Sequence, residues 1–594
     1  MSKRVSKMGW AVLGTLVCLS LVILPACGGG GGTTGMPLKN PNDFVQQTIG
    51  DIQTLDPAWC YDTASGEQIQ YIYETLLFCD GTKTDTFVPV LATEWNASED
   101  GKTIRFHIRS GVKFQNGDTL TPEDVAYSIK RGMVQDVAGG PQWMLYTPLL
   151  ELGGSRDADG NIQVTFDQIN NAVTVDGEWV QFNLVGPYPT LTFYQILANS
   201  WGSIVDKNWC IAQGEWDGTE ATWESYNNPN PDTPEASKLY NKTNGTGPWA
   251  LDLWDPGVQI KLVKNDSYWR GSVPFNHVIT QVVDEWTSRK LALEQGDADY
   301  VYVPRNYIHE LDGIAGIQAI KDLPTLQCDA FFFNMAINGN STFIGSGKLD
   351  GNGIPPDFFT DINVRKGFCC AFDYATFLHD AMQNEATQVG SPVIQGLLYF
   401  NPNASMYSYD LTKAADYLKA AWGGQVWDKG FKMTVLYNSG NIPRKTACEI
   451  LAEKLYAVNN KFQISVEPLS WPTILGKIFG VRDMPTFQIG WLADYPDPDD
   501  FVTPFMASWG AYADAQSYSN SHVDDLIKQG ITTVDPTARQ AIYYELQQLY
   551  YDDAPGIMLD QVLGRRFFTQ YIHGFYFNPV IPGDPGPLYY MSKS

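Results

Sequence analysis

The chain is poor in the residues that carry out chemistry. Its 594 residues include six histidines, at 107, 277, 309, 379, 522 and 573, and they are scattered. No H-E-x-x-H sets two of them on one helix face, which removes the zinc-peptidase pattern. No C-x-x-C occurs among the nine cysteines, which argues against structural zinc and dithiol redox chemistry. There is no G-x-S-x-G elbow for a serine nucleophile and no G-x-G-x-x-G after a strand. Gly345-Ser346-Gly347-Lys348 imitates the end of a phosphate loop, but Thr342 stands where its first glycine belongs and Leu349 where its hydroxyl residue belongs. Positive charge is also short: 40 Lys and Arg face 66 Asp and Glu, a formal net charge of −26. That balance argues against nucleic acid and anionic lipid surfaces as partners. It also makes acid pairs common, so no pair singles out a glycosidase. The expectation is no enzyme, no metal and no cofactor.

Apolar runs are short, with one exception at the N-terminus. Lys3, Arg4 and Lys7 precede an apolar stretch from Trp10 to Leu24, which ends in Leu24-Pro25-Ala26-Cys27. This is the layout of a secretory signal. Cys27 after a small residue resembles a bacterial lipobox, in which that cysteine is lipidated, although Pro25 departs from the commoner Ser or Ala. An ordinary cleaved signal and a retained anchor are the alternatives. The Gly28–Gly32 run and Thr33-Thr34-Gly35 that follow suit a flexible tether. No later stretch approaches the roughly 20 apolar residues of a membrane span. Beyond Cys27 seven cysteines remain, an odd number. A Cys60–Cys79 bridge and buried free thiols are both open.

Hydrophobic residues make up 44% and charged residues 18% of the chain, a globular balance, and its length is enough for several domains. Aromatics are plentiful, with 18 Trp, 31 Tyr and 29 Phe, which suits large cores or a ring-lined cleft. A strand is expected over Val45–Ile49, then a helix beginning at Ser65 as its cap. Thr121-Pro122-Glu123-Asp124 is a strong helix start. Asp157–Asn161 is a hairpin turn rather than a calcium loop. Further helices are expected over Asp361–Met382, Thr412–Trp422 and Pro536–Tyr551, capped by Asp361, Thr412 and Asp535. From Phe431 to Trp491 the pattern reads strand, helix, strand, helix, strand, which implies a parallel sheet. Its last strand, Phe487–Leu492, stops abruptly at Asp494, Tyr495 and a Pro/Asp turn. A carboxylate just past a buried strand sits where open α/β sheets hold ligands, and there it needs a cation or several donors.

Ordered blocks then bring a family into view. They are Thr54-Leu55-Asp56-Pro57, Tyr73-Glu74-Thr75-Leu76-Leu77, Leu91-Ala92-Thr93-Glu94-Trp95, Phe106-His107-Ile108-Arg109, Val112-Lys113-Phe114 and Asn116-Gly117-Asp118. Thr121–Val125, Gly245-Thr246-Gly247-Pro248, Asp361–Lys366 and Trp491–Tyr495 complete the series. From about Thr48 to its end, the chain resembles extracytoplasmic solute-binding proteins of ABC importers, the family 5 class of oligopeptide, dipeptide and nickel binders.

The resemblance implies an α/β fold of the periplasmic-binding-protein type (type II, cluster C). It has two lobes about a hinge and an extra inserted domain, three domains in all. The implied division is 1–26 signal peptide, 27–43 tether, 44–78, 191–320 and 561–594 domain I, 79–190 domain II and 321–560 domain III. Ligand would lie between domains I and III, with Asp494 pairing the α-amino group of a peptide. Trp491, Tyr495 and Trp471 would supply rings, and the Asp62-Thr63-Ala64-Ser65 loop a backbone edge. Some members carry an arginine three residues before the motif tryptophan, near the ligand carboxylate. Here that position is Gln488, which leaves Arg444 and Arg482 as substitutes. The implied partners are a peptide and the membrane permease of an importer, with its ATPase subunits reached indirectly. The protein would act as a monomer, lipid-anchored through Cys27 at the outer face of the cell membrane or in the periplasm. An oligosaccharide ligand is the alternative, on the strength of the aromatics. A metal chelate held by Asp494, Asp497, Asp499 and Asp500, or a secreted hydrolase, are weaker ones.

Overall fold

A computed structural model describes residues 36–594 except 138–139, 158–159, 231–232, 470–472, 475 and 584. The signal segment, Cys27, most of the tether and Trp471 lie outside the described residues. Among the described residues, no helix is long and apolar enough to cross a membrane.

The architecture is mixed α/β, centred on a nine-stranded sheet. Its strands, in chain order, are β1 (Asp43–Thr48), β2 (Trp249–Asp255), β3 (Gln259–Lys264), β4 (His277–Val282) and β5 (Tyr300–Val301). They continue with β6 (Ile317–Phe333), β7 (Ala386–Thr387), β8 (Thr486–Leu492) and β9 (Gly556–Thr569). The spatial order is β8-β6-β9-β5-β1-β4-β3-β2, with β7 also on β9. β1 runs parallel to β4 and β5, whereas β6 is antiparallel to both β8 and β9. The two long strands, β6 and β9, thus join distant parts of the chain into one surface. A separate four-stranded antiparallel sheet uses residues 92–97, 103–108, 179–183 and 173–176, in that order.

The helix starts follow local chemistry. Thr121 and Asp124 form a reciprocal capping box at the head of Pro122–Gln135, which satisfies two otherwise orphaned amides. Asp361 and Asp535 cap their helices as expected. Ser65 does not cap the first helix, α1 (Thr63–Ile72). Asp62 does, because its carboxylate reaches the Ser65 amide at 2.8 Å. The Ser65 hydroxyl turns back to the amides of Gln53 and Thr54. Likewise Asp410, not Thr412, caps Leu411–Ala420, accepting from two amides. The expected helix from Asp361 stops at Ala371, because the Asp373 side chain captures both amide and hydroxyl of Thr376 and starts a new turn.

The strand-helix-strand pattern after Phe431 does not make one parallel sheet. Phe431–Asn438 and Phe462–Leu469 do pair in parallel, through the crossover helix Ile442–Val458. The third strand, β8, instead runs antiparallel to β6 from Leu492↔Gln327 to Thr486↔Phe333. Both of its faces are buried over residues 486–489, so its pattern specifies a buried strand without specifying a partner. β6 supplies the better match: Phe487 stacks on Phe332, ring centroids 5.1 Å apart. All seven cysteines beyond Cys27 are free and buried, so the Cys60–Cys79 bridge is not formed.

Candidate ligand-binding cleft

A cavity of about 700 Å³ opens over the main sheet. Its walls come from distant segments: the Tyr61–Ala64 turn, Asn199–Trp201, the chain after β5 to Arg305, and Thr325 and Gln327 of β6. The end of β8 at Leu492–Asp494, the Val562–Phe567 stretch of β9 and the C-terminal loop 577–583 also line it, together with residues 48–50 and 52 at the end of β1 and Glu67 and Gln68 of α1. The volume suits a small ligand.

Asp494 reaches the cavity because of the turn behind it. Asp500, in the first turn of the helix Asp499–Met506, accepts the Asp494 amide at 2.9 Å and the Trp491 indole at 3.3 Å. These bonds pin the chain where β8 ends. Among the described residues, the Asp494 carboxylate accepts one hydrogen bond, from the Tyr61 hydroxyl to Oδ2 at 2.7 Å. The Trp143 indole in turn donates to that hydroxyl at 3.3 Å. No cation pairs with Asp494 among the described residues. Burial therefore pushes its pKa up to about 6, with the Tyr61 bond opposing. Burial and the Asp494 charge raise the Tyr61 phenol in turn, which keeps it a donor.

The other acids of the turn serve the fold. Asp497 receives a two-point grip from Arg539, at 2.7 and 2.8 Å, and a third bond from Thr192. Asp499 accepts from the Tyr495 hydroxyl at 3.0 Å. No three or more His, Cys, Asp or Glu side chains are gathered for a metal ion among the described residues.

Of the residues singled out from the sequence, Asp494, Asp62, Thr63 and Ala64 line the cavity. Trp491 lies behind Asp494 on the Asp500 carboxyl, edge-on to Tyr512. Tyr495 is buried beneath the turn and Ser65 beneath the start of α1. Gln488 is buried too, donating to the Arg444 carbonyl at 3.1 Å and to Cys448. Arg444 pairs with Asp329 at 3.1 Å and also reaches Asn438. Arg482 pairs with Asp514. None of these six is on the cavity lining. The lining also holds residues that sequence reasoning missed: Tyr61, Trp201, Arg305, Arg565 and Arg566. One signal for them was present, two consecutive arginines inside the apolar strand Val562–Phe568.

With that geometry in place, comparison with known proteins decides the family. The family model for bacterial extracellular solute-binding proteins, family 5, matches residues 86–513. The chain belongs to this family. Family 5 proteins are non-enzymatic, extracytoplasmic solute-binding components of ABC transporters. Among curated proteins, the chain is 26% identical to a probable D,D-dipeptide-binding periplasmic protein, DdpA, of Escherichia coli K12, over 89% of this chain and 90% of that one. It is 23% identical to the oligopeptide-binding protein OppA of Bacillus subtilis, over 92% and 93%. Among solved structures, the substrate-binding protein CtaP of Listeria monocytogenes superposes with a TM-score of 0.72 at 18% identity, over 93% of this chain and all of that one. The fold is the type II fold of these family 5 proteins.

Proposed function

We propose that this family 5 protein captures short peptides in the cleft beside Asp494 and hands them to a membrane permease. One observation carries the reading: a partly buried carboxylate faces a cavity with a tyrosine hydroxyl as its partner and, among the described residues, no cation. A peptide's α-ammonium would supply the missing charge in a charge-assisted hydrogen bond. The names of the two curated relatives support peptides as the ligand class. Capture would proceed by closure of two lobes, one built from 44–78, 191–320 and 561–594 and the other from 321–560, with 79–190 as an insertion. Ligand drives closure only by its extra affinity for the closed state. Bonds already crossing the chain at this point, from Asn199 to the Asp494 carbonyl and from Gln195 to that of Pro496, would belong to the closed form. A lipid on Cys27 would hold the monomer near its permease.

Mass spectrometry of ligand released from the purified protein tests the reading. Peptides are expected; recovery of sugars or haem alone, with no peptide binding in calorimetry, overturns it. In the same calorimetry, Asp494→Ala is expected to weaken peptide binding at least tenfold, about 1.4 kcal/mol.

A further inference from the structure

Opposite Asp494 the cavity wall carries cationic charge in excess. Arg305, at the start of the turn Arg305–Leu311, and Arg565 on β9 both line the cavity. Both are bonded to the same carboxylate, Glu385: Arg305 at 3.1 Å and Arg565 at 2.5 Å. The Arg565 side chain is only 11% exposed and that of Glu385 12%. One negative charge therefore serves two guanidinium groups in a poorly hydrated wall. Other donors of the pair go to backbone carbonyls, from Arg565 to Val303 and from Arg305 to Met382. The Arg565 Nε–H has no hydrogen-bond partner among the described residues. Burial pulls the Arg565 guanidinium below its ordinary pKa, against the pull of Glu385, and the neighbouring Arg305 adds to the fall. A second anion would relieve that repulsion and take up the idle donor.

We infer that Arg565, with Arg305 behind it, forms the anion end of this cleft and receives the C-terminal carboxylate of a peptide whose ammonium lies on Asp494. The inference rests on the peptide reading above and adds to it a polarity and a length. β6 lies between β8 and β9, so the end of β8 is two strand spacings, about 10 Å, from β9. In register, Leu492 faces Gln327, and Pro324 faces Leu563. Arg565 is thus roughly two residues, about 7 Å, further along β9 from the level of Asp494. The backbone points that hold the two charges are then about 12 Å apart, and both side chains reach inward. At about 3.3–3.6 Å per extended residue, that span fits roughly two to four residues. Arg444 and Arg482, the candidates offered by the sequence, are each already paired away from the cavity.

The test uses the full chain and three pools of random tripeptides made without Asp or Glu: free, C-terminally amidated and N-acetylated. Affinities are read by calorimetry, and retained peptides by mass spectrometry. Amidation is expected to weaken binding at least tenfold in the wild type. In Arg565→Gln the free and amidated pools should bind within about twofold of each other, while N-acetylation still weakens both. Arg565→Lys should restore part of the preference. If the wild type binds free and amidated pools alike but rejects the acetylated one, the anion end is overturned and the peptide reading stands. If no pool binds, both fall together. The wild-type comparison decides the matter even if Arg565→Gln fails to fold.

Discussion

Asp494 and Asp497 stand three residues apart in one turn, yet the protein uses them in opposite ways. Asp497 is fully buried and Arg539 grips both of its oxygens. Burial alone would raise its pKa, but the charge and hydrogen bonds of Arg539 overcome that and hold it below the usual carboxylate range. Asp494 is partly buried, has no such partner, and is raised to about 6. The difference separates a carboxylate whose charge is balanced within the fold from one whose balance is left to something else. Proximity in sequence and type of residue do not distinguish the two; charge accounting does.

The sharpest way to break the comparison is to unbalance the balanced acid. Asp497→Ala leaves Arg539 buried, 3% exposed, with its bidentate partner gone. Removing one partner of a buried pair typically costs about 3–5 kcal/mol. Thermal or urea unfolding should show a loss of that order. Asp494→Asn, by contrast, should lose no stability at neutral pH and should gain some, because it removes an unpaired charge that burial disfavours. Equal losses for the two variants would dissolve the distinction.

The contrast also marks what was legible in the sequence. Asp494 could be read because its position depends on local signals, a buried strand that stops and a turn that follows. Three of the other blocks that carried the family resemblance are packing joints away from the cavity. Asp56 of Thr54-Leu55-Asp56-Pro57 is buried against Arg131, with Nη to carboxylate distances of 2.8 and 2.6 Å. Gly245 and Gly247 let the chain press on the Ile72 carbonyl, where an added Cβ would come within 2.0 and 2.6 Å. Glu74 is buried among Thr246, Tyr268 and Trp269, all donating to it. The two arginines of β9 were visible, but the cluster was not, because Arg305, Glu385 and Arg565 meet only through the pairing of β5 and β7 with β9. The antiparallel placement of β8 was hidden for a related reason: its pattern records burial, and its partner is set more than 150 residues earlier in the chain.

A second prediction of intermediate size uses protons. Folded protein without ligand holds the Asp494 proton up to about pH 6, whereas an unfolded chain releases it near the ordinary value of about 3.9. Between those values the folded state binds more protons, so the contribution of Asp494 to stability falls as pH rises through the window. Peptide binding has the reverse slope, because an ammonium favours the ionised carboxylate. Affinity should drop by about tenfold from pH 7.5 to pH 5, roughly 1.4 kcal/mol. Both slopes should flatten in Asp494→Asn, as read by thermal denaturation of the stripped protein and by calorimetry with peptide. An affinity slope that persists in that variant would assign it to another group.

The smallest effect is expected where the sequence offered a ligand partner and the structure places an ordinary surface pair. Arg482 and Asp514 meet at 2.5 Å, with side chains 37% and 54% exposed. Water screens such a pair, and holding two mobile side chains together offsets much of its attraction, so the net contribution is about 0–1 kcal/mol. Arg482 also has a positive φ of 55°, so the backbone there carries some strain in any non-glycine residue. Arg482→Gly removes the pair and relieves that strain, and the two effects oppose each other. Stability should therefore stay within about 0.5 kcal/mol of the wild type. Peptide affinity should stay within about twofold, for free and amidated peptides alike. A selective loss of affinity for the free carboxylate in Arg482→Gly would move the anion end of the cleft away from Arg565. It would also show that an exposed, paired arginine outside the cavity can do what charge balance assigns to a crowded one inside it.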